Sequence, residues 1–439
     1  MKFHGTMKIN QKGHLEIGGC DTVELVQEFG TPLYVMDEAL IRGVCREYRR
    51  NFTEKYGNAE VIYASKAFLT TAMCRIIEEE DLGLDVVSDG ELHTAIMSGF
   101  PPERIYFHGN NKSIQELSMA LEYNIGRIVV DNFFEMDNLE ILAKERGKTP
   151  GILLRVSPGI EAHTHEYIKT GQIDSKFGFT VPNGQAFEAI TSLARARNLV
   201  FKGLHCHIGS QIFEMDSYAH TVSTMIDFIK EIKEKTGLTV EELNIGGGFG
   251  IYYTDKDAPA SISGYAETVM AAVIEASNAR EIQTPKIIIE PGRSIVGNAG
   301  TTLYSVGSIK DIPQVRKYVA VNGGMTDNIR PALYGARYQA MIANKAEWPL
   351  YETVSITGKC CESGDMLIWD IKLPQITPGD ILAVSSTGAY GYTMSSNYNR
   401  LRRPAIVLVN NGDASLILRR ETLDDLIRND VIPDRLIRE

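Results

Sequence analysis

The chain has 439 residues, 44% of them hydrophobic and 23% charged, with 45 basic against 56 acidic side chains and a formal net charge of −11. That length suits two domains, or one large domain with a smaller companion, and the composition is that of a globular protein with a sizeable core. An acidic balance without a basic block argues against nucleic-acid binding, no apolar run approaches a membrane span, and the opening MKFHGTMKIN lacks the apolar stretch of a signal peptide.

The first expected element is a small hairpin, TMKINQKGHLEIGG, at residues 6–19. From residue 60 to 290, eight nearly continuous apolar runs follow: VIYASK, LDVVSDG, RIYFHGN, RIVVDN, ILLRVSPG, LHCHIGS, LNIGGG and IIIEPGR. Segments between them, such as ELHTAIMSGF and SYAHTVSTMIDFIKEIKEK, carry apolar residues at helical spacing. Runs without polar alternation suit strands covered on both faces, and eight such repeats predict an α/β fold built on a (β/α)8 TIM-type barrel. An open doubly wound sheet is the alternative.

Each run ends in polar or glycine residues: Lys66, Asp85 with Ser88, His108, Asp131, Arg155, His207 with Ser210, the glycines Gly246, Gly247 and Gly248, and Glu290. In a barrel these ends share one mouth, where barrel active sites sit. Beyond residue 300 the pattern changes to β-rich runs with turns, TTLYSVGSI, KYVAVNGG, YETVSITGK, DMLIWDI, DILAVSS and PAIVLVN. We therefore expect a barrel over residues 36–295 and a mainly-β domain made of 1–35 with 296–439. Thr422 reads as the N-cap of a short C-terminal helix, ETLDDLIRND.

Several groups could carry chemistry, and each has an ordinary alternative. Lys66 leaves a buried strand; it is either a snorkelling surface lysine or one that condenses with an aldehyde. GGGFG at 246–250 lets backbone N–H groups approach a phosphate, or is a plain tight turn; it lacks the dinucleotide spacing because position 251 is Ile. HCHIGS at 205–210 places His205 and His207 on one strand face. They read as a metal pair, as a structural pair, or as an imidazole stacked on a flat cofactor with Ser210 on its phosphate. Glu290 of EPGR either pairs with Arg293 or holds a proton on a pyridine nitrogen. Cys361 of CCESGD is a proton donor beside an acid or a small packed side chain. Arg330 and Tyr334 of DNIRPALYG stand four apart, and the arginine suits a carboxylate. HTHEY at 163–167 is a further metal candidate, though a substrate-channel or surface loop suits it better. The six cysteines have no zinc spacing, and adjacent Cys360 and Cys361 are poor disulfide partners, which fits a reducing cytoplasm.

A lysine, a phosphate cradle, a stacking imidazole and a carboxylate for a pyridine nitrogen together describe pyridoxal 5'-phosphate. YASKA, HCHIGSQ, GGGFG, EPGR, CCESGD and GAYGY, in this order, resemble the pyridoxal-phosphate decarboxylases of the alanine-racemase-like barrel type, and within them the diaminopimelate decarboxylases. The resemblance runs from GHLEIGG at 13–19 to NYNRLRRP at 397–404.

It implies a barrel plus a β-domain, a homodimer with shared active sites, and decarboxylation of meso-2,6-diaminopimelate to L-lysine. It implies roles as well. Lys66 bonds the cofactor, and Asp85 and Glu91 line the site. His207 stacks on the ring, and Glu290 faces the ring nitrogen. Ser210, Gly247, Gly248, Gly292 and Arg293 hold the phosphate. Arg293, Arg330 and Tyr334 bind the far end of the substrate, and Tyr390 sits near both cofactor and substrate. Cys361 as proton donor and Glu362 near the distal amine come from the second subunit. Glutamate rather than arginine opposite the ring nitrogen favours decarboxylation over racemisation. A metal-dependent barrel hydrolase, a non-enzymatic cofactor carrier and a sister decarboxylase of another basic amino acid are the competing readings.

Overall fold

A computed structural model describes residues 1–159 and 174–437. Contacts divide the chain into two units, Met1–Leu40 with Val296–Glu439, and Ile41–Ile295. The HTHEY stretch lies outside the described residues.

Eight parallel strands close the second unit into a barrel: β1 (Ala59–Ala64), β2 (Gly83–Val86), β3 (Ile105–Phe107), β4 (Arg127–Val130), β5 (Gly151–Ser157), β6 (Val200–His205), β7 (Glu242–Asn244) and β8 (Lys286–Ile289). Pairing of β4 with β5 and of β8 with β1 completes the ring. All eight apolar runs became strands. Ile62, Tyr106, Val129, Leu153 and Ile288, one from each of five strands, fill the interior as a buried layer. At the N-terminal end, Arg127 grips Glu242 through Nε and Nη2 at 2.8 and 2.5 Å, and Lys286 pairs with Glu60, so these charges brace the face remote from the mouth.

Helix starts are written in the sequence. Ser88, Ser113 and Asn132 each accept from the backbone N–H three residues on, at Glu91, Glu116 and Glu135. This is the S/T/N-x-x-E pattern of a capped N-terminus. At Ser113 the glutamate returns the bond. At the other two caps it turns instead to the preceding loop, a departure that matters at the mouth below.

In the first unit, Gly300–Ile312 is the central strand. It pairs antiparallel with Leu33–Asp37, Arg316–Val321 and Ile381–Ser385. Leu33–Asp37 in turn pairs parallel with Ala405–Asn410. The opening hairpin forms as Lys8–Ile9 and Leu15–Ile17, extended by Cys20–Asp21. Leu15 and Ile17 join Leu33, Val35, Leu303, Ala383 and Val407 in one buried core, so the N-terminal segment belongs to the β-rich unit. Thr422 caps Leu423–Ile427 as expected.

Candidate active site

Lys66 follows β1 in a short 3-10 turn, Ser65–Ala67. It lies near enough to Asp85, Glu91 and His207 to act on the charge of each. Asp85 is the penultimate residue of β2 and is fully buried, and neither of its carboxylate oxygens has a hydrogen-bond partner among the described residues. Burial pushes its proton affinity up, against the pull of His108 and Lys66. Glu91 accepts from Ser65 Oγ and from the Val87 N–H, both at 2.8 Å, and fastens the Lys66 turn to the loop after β2. Burial, then the neighbouring Asp85, raises its proton affinity too.

Glu290 behaves in the opposite way. It is 5% exposed, one residue past β8. Burial opposes its charge, yet the imidazoles of His108 and His205 hold it well below the ordinary carboxylate range. His205 Nε2 is 3.3 Å from Oε2, and Asn244 Nδ2 donates to Oε1 at 2.7 Å. His108 Nε2 lies 2.9 Å from Oε1 but off the line a hydrogen bond needs. Burial lowers His205 to about 3, so it meets the carboxylate as a neutral donor. Among the described residues, His108, His205 and Glu290 form one group with metal-ligand composition, their ligand atoms within 4.8 Å of one another. The two histidines of the HxH pair have different partners. Strand β6 ends at His205, which faces Glu290, while His207 Nδ1 accepts from the Gly247 N–H at 3.2 Å.

The glycine turn after β7 is dictated by space. Gly246 and Gly248 have φ of 71° and 99°, which favour glycine. A Cβ on Gly246 would stand 2.5 Å from His207 Nδ1, one on Gly247 2.2 Å from the Glu290 carbonyl oxygen, and one on Gly248 2.5 Å from that of Gly209. Beside this turn the buried Arg293 guanidinium donates to Ser210 Oγ at 2.9 Å and to Tyr253 OH at 2.6 Å. Gly292 packs onto Ala64, where a Cβ would meet Ala64 at 2.9 Å. The site thus offers a lysine amine, a backbone cradle backed by an arginine, a carboxylate kept ionised by neutral donors, and an orphaned buried carboxylate. Those features fit pyridoxal phosphate.

The remaining candidates lie in the β-rich unit. Arg330 and Tyr334 bracket the one-turn helix Arg330–Tyr334, and Arg330 is buried, donating to Tyr338 OH at 2.6 Å. Cys361 and Glu362 are exposed on the loop after Glu352–Thr357, and Asn399 Oδ1 accepts from the Cys361 N–H at 2.8 Å. Tyr390 has φ of 56°, a left-handed conformation rare for a bulky residue.

Sequence reasoning gave no role to Asn244, Tyr253 or Lys112. Lys112 is buried and spends its three donors on Gly109 O, Val129 O and Glu135 Oε1, tying the loops after β3 and β4. The N-x-x-E pattern at Asn132 was the available clue, since it marks Glu135 as a residue facing the preceding loop.

The family "Pyridoxal-dependent decarboxylase, pyridoxal binding domain" matches residues 41–297. The diaminopimelate decarboxylase of Bacillus methanolicus is 56% identical over 421 residues, covering 96% of this chain and 98% of that protein. That of Bacillus subtilis (strain 168) is 54% identical over 431 residues, 98% of each. The crystal structure of diaminopimelate decarboxylase from M. jannaschii in complex with L-lysine superposes with a TM-score of 0.93 at 37% identity, covering 98% of this chain and 99% of that one.

Proposed function

The chain belongs to the diaminopimelate decarboxylase family of pyridoxal-dependent enzymes, and from that premise we infer which of its residues convert meso-2,6-diaminopimelate to L-lysine and CO2, the last step of lysine biosynthesis. The enzyme is a carboxy-lyase that uses pyridoxal 5'-phosphate. When bound, the cofactor supplies an aldehyde for amines and an electron-poor ring that takes up the electron pair left as CO2 departs.

Lys66 presents the amine that holds the cofactor. Gly247, Gly248, Gly292, Ser210 and Arg293 form the phosphate end of its pocket, and the His207 imidazole covers one face. Glu290 sets a negative charge opposite the ring nitrogen, and Asp85 and Glu91 line the side nearest Lys66. Arg330 and Tyr334 bind the distal carboxylate of the substrate and Glu362 of the partner subunit its distal ammonium, with Tyr390 beside them. Cys361 of the partner subunit delivers the proton that replaces CO2 on the reacting carbon. The enzyme is accordingly a cytoplasmic homodimer with each site completed across subunits. All six cysteines are free, which suits a reducing compartment, and no helix among the described residues is long and apolar enough to cross a membrane.

The observation that carries this reading is Lys66 beside three buried or half-buried titratable groups, with an ionised Glu290 at the same mouth. Borohydride reduction of the loaded enzyme, followed by peptide mass mapping, should find cofactor on the peptide bearing Lys66. Lys66→Ala should lose both that mass and lysine formation from meso-diaminopimelate. Retention of both refutes the assignment.

A further inference from the structure

Asn244 is the last residue of β7 and is fully buried. Its side-chain amide faces two ways. Nδ2 donates to Glu290 Oε1 at 2.7 Å, and Oδ1 accepts from the Gly246 N–H at 2.9 Å. The Glu290 N–H closes the loop by donating to the Gly246 carbonyl at 2.9 Å. One planar group therefore joins the carboxylate to the first glycine of the turn after β7. On the other carboxylate oxygen, His205 supplies a second neutral donor at 3.3 Å.

We propose that Asn244 is a positioning residue that sets both ends of the cofactor pocket, holding Glu290 as an ionised acceptor and fixing the Gly246 turn, with His205 as the second donor to the carboxylate. The inference rests on Glu290 facing the ring nitrogen. A buried carboxylate without donors takes up a proton. Each donor that satisfies an oxygen stabilises the anion and makes it a weaker base, so a proton shared between Glu290 and a ring nitrogen stays on the nitrogen. An amide offers a neutral donor and an acceptor, side by side, from one short, flat side chain. A carboxylate in its place would face Glu290 with a like charge, and a hydroxyl would reach one partner but not both. His205 touches the carboxylate and not the turn, and that difference separates the two roles.

The measurement is solid-state NMR of the holoenzyme loaded with cofactor carrying 15N in the pyridine ring, alongside the equilibrium affinity for pyridoxal phosphate. In the unaltered protein the ring nitrogen should resonate as protonated. Asn244→Leu and His205→Leu should both move it toward the unprotonated position, and His205→Gln, whose amide can donate from the same place, should restore it. Asn244→Leu alone should also weaken cofactor affinity about tenfold or more, because it alone releases the turn. If Asn244→Leu does not fold, Asn244→Ala replaces it, with the same two effects expected. An unmoved ring resonance in the folded Asn244 variant, or equal loss of affinity in the Asn244 and His205 variants, overturns the proposal. An unprotonated ring in the unaltered protein overturns the reading of Glu290 instead, so the two failures are distinguishable.

Discussion

Asp365 closes the CCESGD loop, and its removal gives a direct measure of how the proposed substrate residues are held. It is 3% exposed, and its carboxylate accepts from the Met325 N–H at 2.6 Å and the Cys360 N–H at 2.8 Å. Gly324 and Gly358 press against it so closely that a Cβ on either would come within 2.5 or 2.1 Å of its oxygens. Lys359 N–H to Gly323 O, at 2.9 Å, completes the clamp. One carboxylate thus ties residues 323–325, five residues before Arg330, to the loop bearing Cys361 and Glu362. Asp365→Ala deletes two charge-assisted bonds, each worth about 1.5–3 kcal/mol, so unfolding of the β-rich unit should ease by about 3–6 kcal/mol. Asp365→Asn keeps one acceptor and turns a donor toward the other N–H, and should fall between. Urea unfolding gives the stability and steady-state decarboxylation the function. In the folded alanine variant KM should rise and kcat fall together, since the residues proposed for distal recognition and proton delivery share the clamp, while affinity for pyridoxal phosphate in the barrel holds. An Asp365→Ala protein within 1 kcal/mol of the parent, with both kinetic constants unchanged, would refute the reasoning.

Further outcomes follow from other buried groups. Burial raises Asp327 from its ordinary 3.8 to about 6. Its folded form therefore binds a proton that the unfolded form has lost, and stability falls as pH rises from 3.8 through 6, by about 3 kcal/mol in full and about 2 kcal/mol between pH 4.5 and 7.5. Asp327→Asn should gain on the parent by that increment at pH 7.5 relative to 4.5 in urea titrations; a constant difference across pH removes Asp327 as the cause. Lys112→Met strands the Glu135 carboxylate in the interior and should cost about 3–5 kcal/mol, much of it recovered in Lys112→Met with Glu135→Leu. Additive losses in that cycle would contradict a direct pair. Gly246→Ala, with a left-handed φ and no room beside His207, should abolish cofactor retention on gel filtration while the remainder of the fold persists.

The barrel was readable because each of its strands announces itself locally, as an apolar run that stops at a polar or glycine residue. The β-rich unit was readable only in part. Leu33–Asp37 takes its place from partners at residues 300–303 and 405–409, far away in sequence. The same limit governs the site. Lys66, Glu290 and the glycine turn stand out as chemistry at strand ends, but Asn244 and His205 acquire meaning from a carboxylate 46 and 85 residues on. The two histidines of HCHIGS likewise take their partners from distant residues, His205 from Glu290 and His207 from Gly247.

The two buried carboxylates at the barrel mouth show how one pocket serves opposite needs. Glu290 has an amide and two imidazoles around it and stays charged; Asp85 has no hydrogen-bond donor among the described residues, and burial raises its proton affinity. The difference lies in donors, since both are fully or nearly buried. Divergent proton affinities of this kind mark acid and base assignments in one site. Lys66 lies within electrostatic reach of Asp85 and Glu91, and both acids are pushed toward the protonated form by burial.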